Sequence, residues 1–284
     1  MATIRIVTDT DSSLPPQVAE EYGIIQVPIT IHFGEETYKD VEDIDCAKTF
    51  ARIDRDGVLP TTSAPSPGDF AEAYQRAFDT GGDEVICFTV SSEVSATYKS
   101  ALTGKEMIEA GRVTVVDTRS LSLGQGYMVL EAAELAREGR DRDEIIAQAK
   151  SIGDKAHLFA ALSTLKYMAM SGRIGHLTAG MANLLNIKPI LSIQDGKLDL
   201  LEKVRTKGKS WQRVIELIDQ QVGNQRIEKL SILHANALED AEVFKEQLCS
   251  QIQYQALTPL YEINPGLSIH AGSGLVGVAF TIAG

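Results

Sequence analysis

The residues of this sequence best suited to chemistry are hydroxyl side chains that follow a short apolar run. Residues 85–90 are nearly all apolar, which is typical of a buried strand, and Ser91, Ser92 and Ser95 follow at once. A helical pattern begins near Thr97. A strand that turns into a helix in this way gathers hydroxyls and unpaired backbone N–H groups at one edge of a sheet. The turn could bind an anionic group, or its serines could serve as an ordinary helix N-cap.

A second candidate is the pair Asp9 and Asp11, which follows the first apolar run of the chain. Two carboxylates two residues apart at a strand end could act as nucleophile and acid–base group around Mg²⁺, as in aspartyl-phosphate phosphatases. That site also needs a later acidic pair, and the segments 81–88 and 152–159 begin suitably but lack the second acid. Alternatively, the two carboxylates bond neighbouring backbone groups and cap the next helix. A Mg²⁺-dependent phosphatase is therefore the runner-up function.

Other motifs carry little weight. The segment 272–277, GSGLVG, matches the dinucleotide-binding pattern, but too few residues follow it to form the helix that this site requires. The sequence GKS at 208–210 lacks the earlier glycine of a phosphate-binding loop. The histidines show no metal-ligand spacing. His270 is kept as a candidate because we expect it at a strand end beside a glycine turn, where a neutral donor is useful.

The composition narrows the classes of partner and setting. The chain has 284 residues and a net charge of −12, which argues against nucleic acid or an anionic membrane surface as a partner. No apolar run approaches the roughly 20 residues of a membrane span, and the first residues do not resemble a signal peptide. The three cysteines are far apart in the sequence, which argues against a disulfide framework and against a zinc ribbon. We expect a reduced, cytoplasmic setting with no stable membrane insertion.

The order of strand and helix patterns predicts two lobes in an α/β protein. Strands and helices alternate through residues 1–153, which predicts a parallel α/β lobe with its functional groups at the carboxyl ends of the strands. Residues 154–284 predict an α+β lobe. This second lobe is expected to contain a helix over 177–185, a hairpin that turns at Asp195 and Gly196, and a terminal strand–glycine turn–strand unit over 267–283.

Several motifs in a fixed order resemble those of the DegV family of bacterial fatty-acid-binding proteins, which includes the lipid-carrying subunits of fatty acid kinase. The resemblance covers nearly the whole chain and rests on VTDTDSSLP (7–15), PTTSAPSPGDF (60–70), SSEVSATY (91–98), the run SGRIG…NIKPILSIQDGKL…EKVRTK (171–207) and HAGSGLVGVAF (270–280). Within the serine turn, Glu93 and Ala96 stand where the family usually has glycine.

The resemblance implies one long-chain fatty acid held between the two lobes, with no cofactor and no metal. In the family, a threonine of the T-S-x-P-S loop and a serine of the S-S-x-x-S-G-T turn bind the carboxyl group. The implied ligand set is centred on Thr62 and Ser95, with Ser63, Ser91, Ser92 and His270 beside them.

The resemblance also implies a protein partner. The chain would act as a substrate-presenting subunit without enzymatic activity of its own. It would offer the bound acid to an ATP-dependent fatty acid kinase subunit for acyl phosphate formation. Arg173 of the S-G-R-I motif and Arg205 of the K-V-R-T motif would face that kinase. A carrier that delivers acyl chains elsewhere, without a kinase, is a further alternative.

The energetics of such a ligand favour the tail over the head group. Hydroxyl donors each contribute roughly 1–3 kcal/mol to a carboxyl group. Fifteen buried methylenes contribute on the order of 12 kcal/mol before the cost of immobilising the chain. Apolar residues that could line such a tunnel, or simply belong to the core, are Leu158, Phe159, Leu162, Met168, Met170, Ile174, Leu177, Met181, Leu184, Leu185 and Ile190.

Overall fold

The computed structural model describes residues 2–108, 112–173, 187–254 and 256–283. Its strands are Ile4–Asp9 (β1), Ile25–Val27 (β2), Thr30–Phe33 (β3), Glu36–Lys39 (β4), Thr61–Ser63 (β5), Glu84–Thr89 (β6), Val113–Asp117 (β7), Ala156–Ala161 (β8), Lys188–Gln194 (β9), Lys197–Val204 (β10), Ile227–Ala235 (β11), Leu260–Glu262 (β12) and Leu275–Ile282 (β13). Its helices are Pro16–Tyr22 (α1), Cys46–Asp56 (α2), Pro67–Asp79 (α3), Thr97–Glu106 (α4), Leu123–Arg137 (α5), Arg142–Lys155 (α6), Lys166–Met170 (α7), Lys207–Val222 (α8), Leu238–Gln251 (α9) and Pro265–Ala271 (α10).

The chain divides into two compact units, each built from several segments. The first unit contains the residues up to Asp43 together with Thr62–Asp154 and Asp195–Lys197. The second unit contains Ile44–Thr61, Lys155–Gln194 and Leu198–Gly284. The sequence predicts one boundary, after residue 153. In the structure, the chain passes from the first unit to the second after Asp154. In addition, residues 44–61 belong to the second unit and Asp195–Lys197 belongs to the first.

The first unit is built on a four-stranded parallel sheet in the order β2-β1-β6-β7. Val7 of β1 lies opposite Ile25 of β2 and Cys87 of β6. The predicted parallel α/β lobe is therefore confirmed. Because all four strands run in the same direction, the carboxyl ends of β1, β6 and β7 lie at the same edge of the sheet. The predicted serine turn, which follows β6, lies at that edge.

The core of the first unit explains why its strands read as continuous apolar runs. Helices cover the sheet, so residues on both faces of β6 are buried, including Val85 on one face and Ile86 on the other. Helix α3 packs its apolar face on this sheet, and its Tyr74 is buried with the hydroxyl donating to the Ala101 carbonyl at 3.1 Å. The helix begins at a capping box formed by Ser66 and Asp69.

A smaller sheet in the order β4-β3-β5 accompanies the parallel sheet. Strands β3 and β4 form an antiparallel hairpin in which His32 lies opposite Thr37. Strand β5 consists of three residues inside the segment 59–69, which the sequence predicts to be a loop. The predicted loop is therefore wrong for these three residues. Pro60 and Pro65 flank the strand, and prolines so close together are typical of a loop.

The second unit contains a six-stranded sheet in the order β10-β9-β8-β13-β11-β12. Strand β8 pairs antiparallel with β9 and with β13, β13 pairs antiparallel with β11, and β11 pairs parallel with β12. Helices α8 and α9 pack on this sheet around a core that includes Phe159, Ile218, Phe244 and Phe280. The predicted α+β organisation and the β9–β10 hairpin are confirmed. Both residues of its turn, Asp195 and Gly196, have positive φ angles, as a type I′ turn requires.

Two predictions for the C-terminal half have a different outcome. Residues 267–270, predicted as a strand, belong to helix α10. Pro265 begins this helix, and an apolar run of three or four residues does not distinguish a strand from a helix. The helix predicted over 177–185 lies outside the described residues.

None of the helices in the described ranges combines the length and the apolar character needed to cross a bilayer.

Candidate functional site

The serine turn after β6 is shaped by Ser91, whose side chain is fully buried. The Ser91 hydroxyl donates to the Gly196 carbonyl at 2.6 Å and accepts the Glu93 N–H at 3.3 Å. Its own carbonyl accepts the N–H groups of Val94 and Ser95, each at 3.2 Å. Because its one hydroxyl hydrogen is already donated, Ser91 maintains the shape of the turn.

Ser92 is similarly occupied by a carboxylate at the end of β7. Its hydroxyl donates to Asp117 Oδ2 at 2.5 Å, and its N–H donates to Oδ1 of the same carboxylate at 3.2 Å. The N–H of Arg119 reaches Oδ1 at 2.9 Å. Asp117 therefore ties the serine turn to the segment that follows the neighbouring strand.

Ser95 is partly exposed and lies two residues before the first residue of α4. Its Oγ lies 2.8 Å from Thr97 Oγ1 and accepts the Thr97 N–H at 3.3 Å. The N-cap residue of α4 is Ala96, which has no side chain able to accept from the first-turn N–H groups. The positive end of the helix dipole therefore lies beside the Ser95 hydroxyl, which is a favourable place for an anionic group.

The loop that contains Thr62 is held at its start by a histidine. Ser63 Oγ lies 2.9 Å from His32 Nε2, and His32 Nδ1 lies 3.2 Å from Thr37 Oγ1. Thr62, in the middle of β5, is partly exposed. Since successive side chains of a strand point to opposite faces, Thr62 and Ser63 face different sides. His32 gives no signal in the sequence, because a pairing across strands is invisible in residue spacing.

The same loop is tied at its other end to α4. The Ser100 hydroxyl of α4 donates to the Pro65 carbonyl at 2.5 Å. The next residue, Ser66, accepts the Asp69 N–H at 3.1 Å as the N-cap of α3. Ser100 therefore connects the loop of Thr62 with the helix that begins just after Ser95. No motif in the sequence singles out Ser100.

The structure places Asp9 in a purely internal role. The side chain is fully buried, and its carboxylate accepts N–H groups from Val90 at 2.8 Å, Asp11 at 3.0 Å and Gln125 at 3.2 Å. Burial raises the pKa of Asp9 to about 6, and these three hydrogen bonds oppose the rise. The backbone-bonding role considered for Asp9 is therefore the one observed. Val90 precedes Ser91, so Asp9 also fixes the start of the serine turn.

The described residues bear on the metal ion that the phosphatase alternative would need. Within them, no group of three or more His, Cys, Asp and Glu side chains is arranged to hold a metal ion. Asp11 is nearly buried like Asp9. The carboxyl pair of the phosphatase alternative therefore offers little surface to a substrate.

The charge of Glu93 is balanced by two cations. Its carboxylate lies 3.4 Å from Lys197 Nζ and 3.7 Å from Arg119 Nη1. Arg119 also donates to the backbone carbonyl of Asp195. The side chain that replaces a family glycine is thus paired with cations at the surface of the serine turn.

His270, Arg173 and Arg205 all belong to the second unit. His270 lies in the last turn of α10, so its predicted strand-end position is wrong. Burial, with a smaller contribution from the charge of Arg173, lowers the pKa of His270 to about 4, so the imidazole is neutral at pH 7. Arg173 is exposed and donates to the Ser171 carbonyl at 2.7 Å. Arg205 is exposed between β10 and α8.

Comparison with known proteins gives full-length matches. The family model described as "Uncharacterised protein, DegV family" matches residues 3–283. A DegV domain-containing protein of Halalkalibacterium halodurans is 34% identical over 282 residues, covering 99% of each chain.

Two solved structures are similar along the whole chain. A DegV family protein from Thermus thermophilus, described for its fatty acid binding, is 30% identical with a TM-score of 0.90 and 100% coverage of both chains. DegV of Bacillus subtilis, described as a fatty acid binding protein, is 26% identical with a TM-score of 0.88 and 100% coverage of both chains. From its motifs, its fold and these matches, the chain belongs to the DegV family.

Proposed function

We propose that this protein binds a long-chain fatty acid and that Thr62 and Ser95 contact the carboxyl group. The observation that carries the proposal is the full-length match to the Thermus thermophilus protein, which is described for its fatty acid binding. The Ser95 hydroxyl lies beside the start of α4, where the N-cap residue Ala96 has no capping side chain, and this adds a site where an anion is favoured. The Ser100–Pro65 hydrogen bond, which ties the loop of Thr62 to the same helix, also supports it.

Three of the serines that were candidates for binding the carboxyl group have other hydrogen-bond partners. Ser91 and Ser92 donate their hydroxyl hydrogens to Gly196 and Asp117, and Ser63 is paired with His32. We assign these three serines to shaping the loops. His270 stays a proposed donor to the carboxyl group on the basis of the family resemblance. Its low pKa means that it would offer a neutral N–H at pH 7.

Native mass spectrometry of the purified protein tests the proposal directly. We expect a retained mass that matches a fatty acid, and we expect the Thr62→Ala and Ser95→Ala variants to retain less of it. Ser250→Ala is the matched control, since this exposed hydroxyl on α9 donates within its own helix, to the Gln247 carbonyl at 2.7 Å. Wild-type protein that neither retains nor takes up a fatty acid would contradict the function. Normal lipid content in both Thr62→Ala and Ser95→Ala would contradict the site.

The phosphatase alternative is tested with the same preparation. Hydrolysis of a phosphate ester that requires Mg²⁺ and is lost in Asp11→Asn would favour it over lipid binding. The burial of Asp9 and its three hydrogen-bond donors argue against a nucleophilic role for this carboxylate.

We further propose that a partner kinase phosphorylates the bound acid and contacts Arg173 and Arg205. Both arginines are exposed, which suits contact with another protein. Arg173→Ala and Arg205→Ala should retain lipid but slow acyl phosphate formation by the kinase. Arg226→Ala, another exposed arginine of the second unit, is the control. Normal turnover by the two variants would remove the docking role, and lipid binding without any kinase activity would favour the simple carrier.

A further inference from the structure

His32 joins two hydroxyls of different strands through the two nitrogens of one imidazole ring. Nε2 lies 2.9 Å from Ser63 Oγ on β5, and Nδ1 lies 3.2 Å from Thr37 Oγ1 on β4. His32 itself lies on β3, the middle strand of the small sheet. One side chain therefore links all three strands.

The chemistry of this link makes it tolerant of protonation. A neutral imidazole has one donor and one acceptor nitrogen, and each neighbouring hydroxyl can take the opposite role. In the imidazolium form both ring nitrogens donate and both hydroxyls accept. Two hydrogen bonds are therefore possible in either tautomer and in either charge state of His32.

Strand β5 is short, and two further anchors follow it in the chain. It is three residues long, so its backbone ladder is short. Its next anchors lie further along the chain, at the Ser100–Pro65 hydrogen bond and at the Ser66 cap. Because Thr62 and Ser63 are adjacent in a strand, holding Ser63 against His32 directs Thr62 to the opposite face.

We infer that His32 is a positioning residue for the carboxylate-binding loop, acting through Ser63 to fix the orientation of Thr62. The inference rests on the proposed fatty acid binding and adds a residue that would not touch the ligand. It predicts that disrupting the His32–Ser63 pair weakens binding of the acid head group and leaves binding of the acyl tail unchanged.

The test measures the affinity of delipidated protein for palmitic acid and for hexadecanol, which has the same tail without the carboxyl group. Displacement of a fluorescent fatty acid serves as the assay. The variants are His32→Leu, His32→Gln, Ser63→Ala and the double variant. Glutamine keeps an amide that can bond Ser63, whereas leucine keeps only the bulk.

We expect His32→Leu and Ser63→Ala each to weaken palmitic acid binding by roughly three- to tenfold, the loss that one hydrogen bond produces. Hexadecanol binding should stay within about twofold of wild type, since the hydroxyl of this alcohol can lose no more than one weak contact with the protein. His32→Gln should restore most of the acid affinity. The double variant should be no weaker than either single variant, because both changes break the same contact.

Other results would overturn the inference. These are unchanged acid affinity in His32→Leu, an equal loss for acid and alcohol, no recovery in His32→Gln, or additive losses in the double variant. Wild-type protein that fails to bind palmitic acid would instead overturn the proposed function itself. Thermal unfolding of each variant identifies any that fail to fold, and Ser63→Ala then carries the comparison.

Discussion

Ser91 and Gly196 fit so closely that Gly196 cannot carry a side chain without movement of its neighbours. The Ser91 hydroxyl donates to the Gly196 carbonyl at 2.6 Å, and a Cβ built on Gly196 would lie 2.7 Å from the same Oγ. Gly196 also has a φ angle of +80°, which side-chain-bearing residues rarely adopt. The β9–β10 turn and the serine turn are therefore matched to each other within the first unit.

The first prediction follows from this contact. Gly196→Ala should lower the free energy of unfolding by about 1–3 kcal/mol, since it combines a left-handed backbone with a steric overlap. Gly208→Ala is the matched control, because Gly208 lies in the first turn of α8 and, among the described residues beyond its chain neighbours and its own helical backbone, none comes within 4 Å of an added Cβ. That variant should match or exceed wild-type stability. Urea denaturation measures both, and equal stability of the two variants would refute the proposed fit.

The second prediction concerns the pH dependence of stability. The pKa of Asp9 is about 6 in the folded protein, against an ordinary value of 3.8 that we take for the unfolded chain. The folded state therefore binds this proton more tightly. Its contribution to the free energy of unfolding is fully present below about pH 4 and is lost as the pH rises through about 6. The difference corresponds to about 3 kcal/mol.

Urea denaturation of wild type and Asp9→Asn between pH 4 and pH 7 tests this sign. The wild type should become less stable relative to the variant as the pH rises to about 6. Asp45→Asn is a control that should stay flat over this range, because the Lys48 N–H holds the pKa of Asp45 below its usual value of 3.8. The contribution of Asp45 should be present above its unfolded pKa and lost as the pH falls through its folded pKa. A flat difference for Asp9→Asn across this range would contradict the prediction.

The third prediction concerns the tie between the two hydroxyl-rich segments. Ser100→Ala removes the hydrogen bond to the Pro65 carbonyl and should cost about 1 kcal/mol of stability. If the proposed site is correct, the variant should also retain less fatty acid. Thr103→Ala is the control, since that hydroxyl donates within α4, to the Lys99 carbonyl at 3.1 Å. Denaturation and native mass spectrometry provide the two measurements, and identical behaviour of the two variants would exclude a special role for Ser100.

The fourth prediction concerns Glu93, which stands where the family usually has glycine. Its ion pairs with Lys197 and Arg119 are at the surface, so Glu93→Gln should change stability by no more than about 0.5 kcal/mol. Removing the negative charge leaves the two cations beside the serine turn. Palmitic acid should then bind roughly two- to fivefold more tightly at low salt, with a smaller gain at high salt. Weaker binding at low salt would show that Glu93 supports the site.

The sequence alone determined the class of the fold and the place of the serine turn. The apolar run of β6, the alternation of strands and helices, and the Asp195–Gly196 turn are local patterns, and the structure reproduces them. They are readable because helices, buried strands and tight turns each impose their own periodicity or φ angle on neighbouring residues. The family motifs are equally local, which is why the full-length matches agree with them.

Only the tertiary structure decided what each hydroxyl is bonded to. Ser91, Ser92 and Ser63 look alike in the sequence, yet their partners are Gly196, Asp117 and His32. These partners lie between 25 and 105 residues away along the chain. A hydrogen bond depends on distance and angle, and the contacts between distant segments that set them leave no periodic trace. For the same reason the helix at His270 and the burial of Asp9 became clear only once the chain was folded.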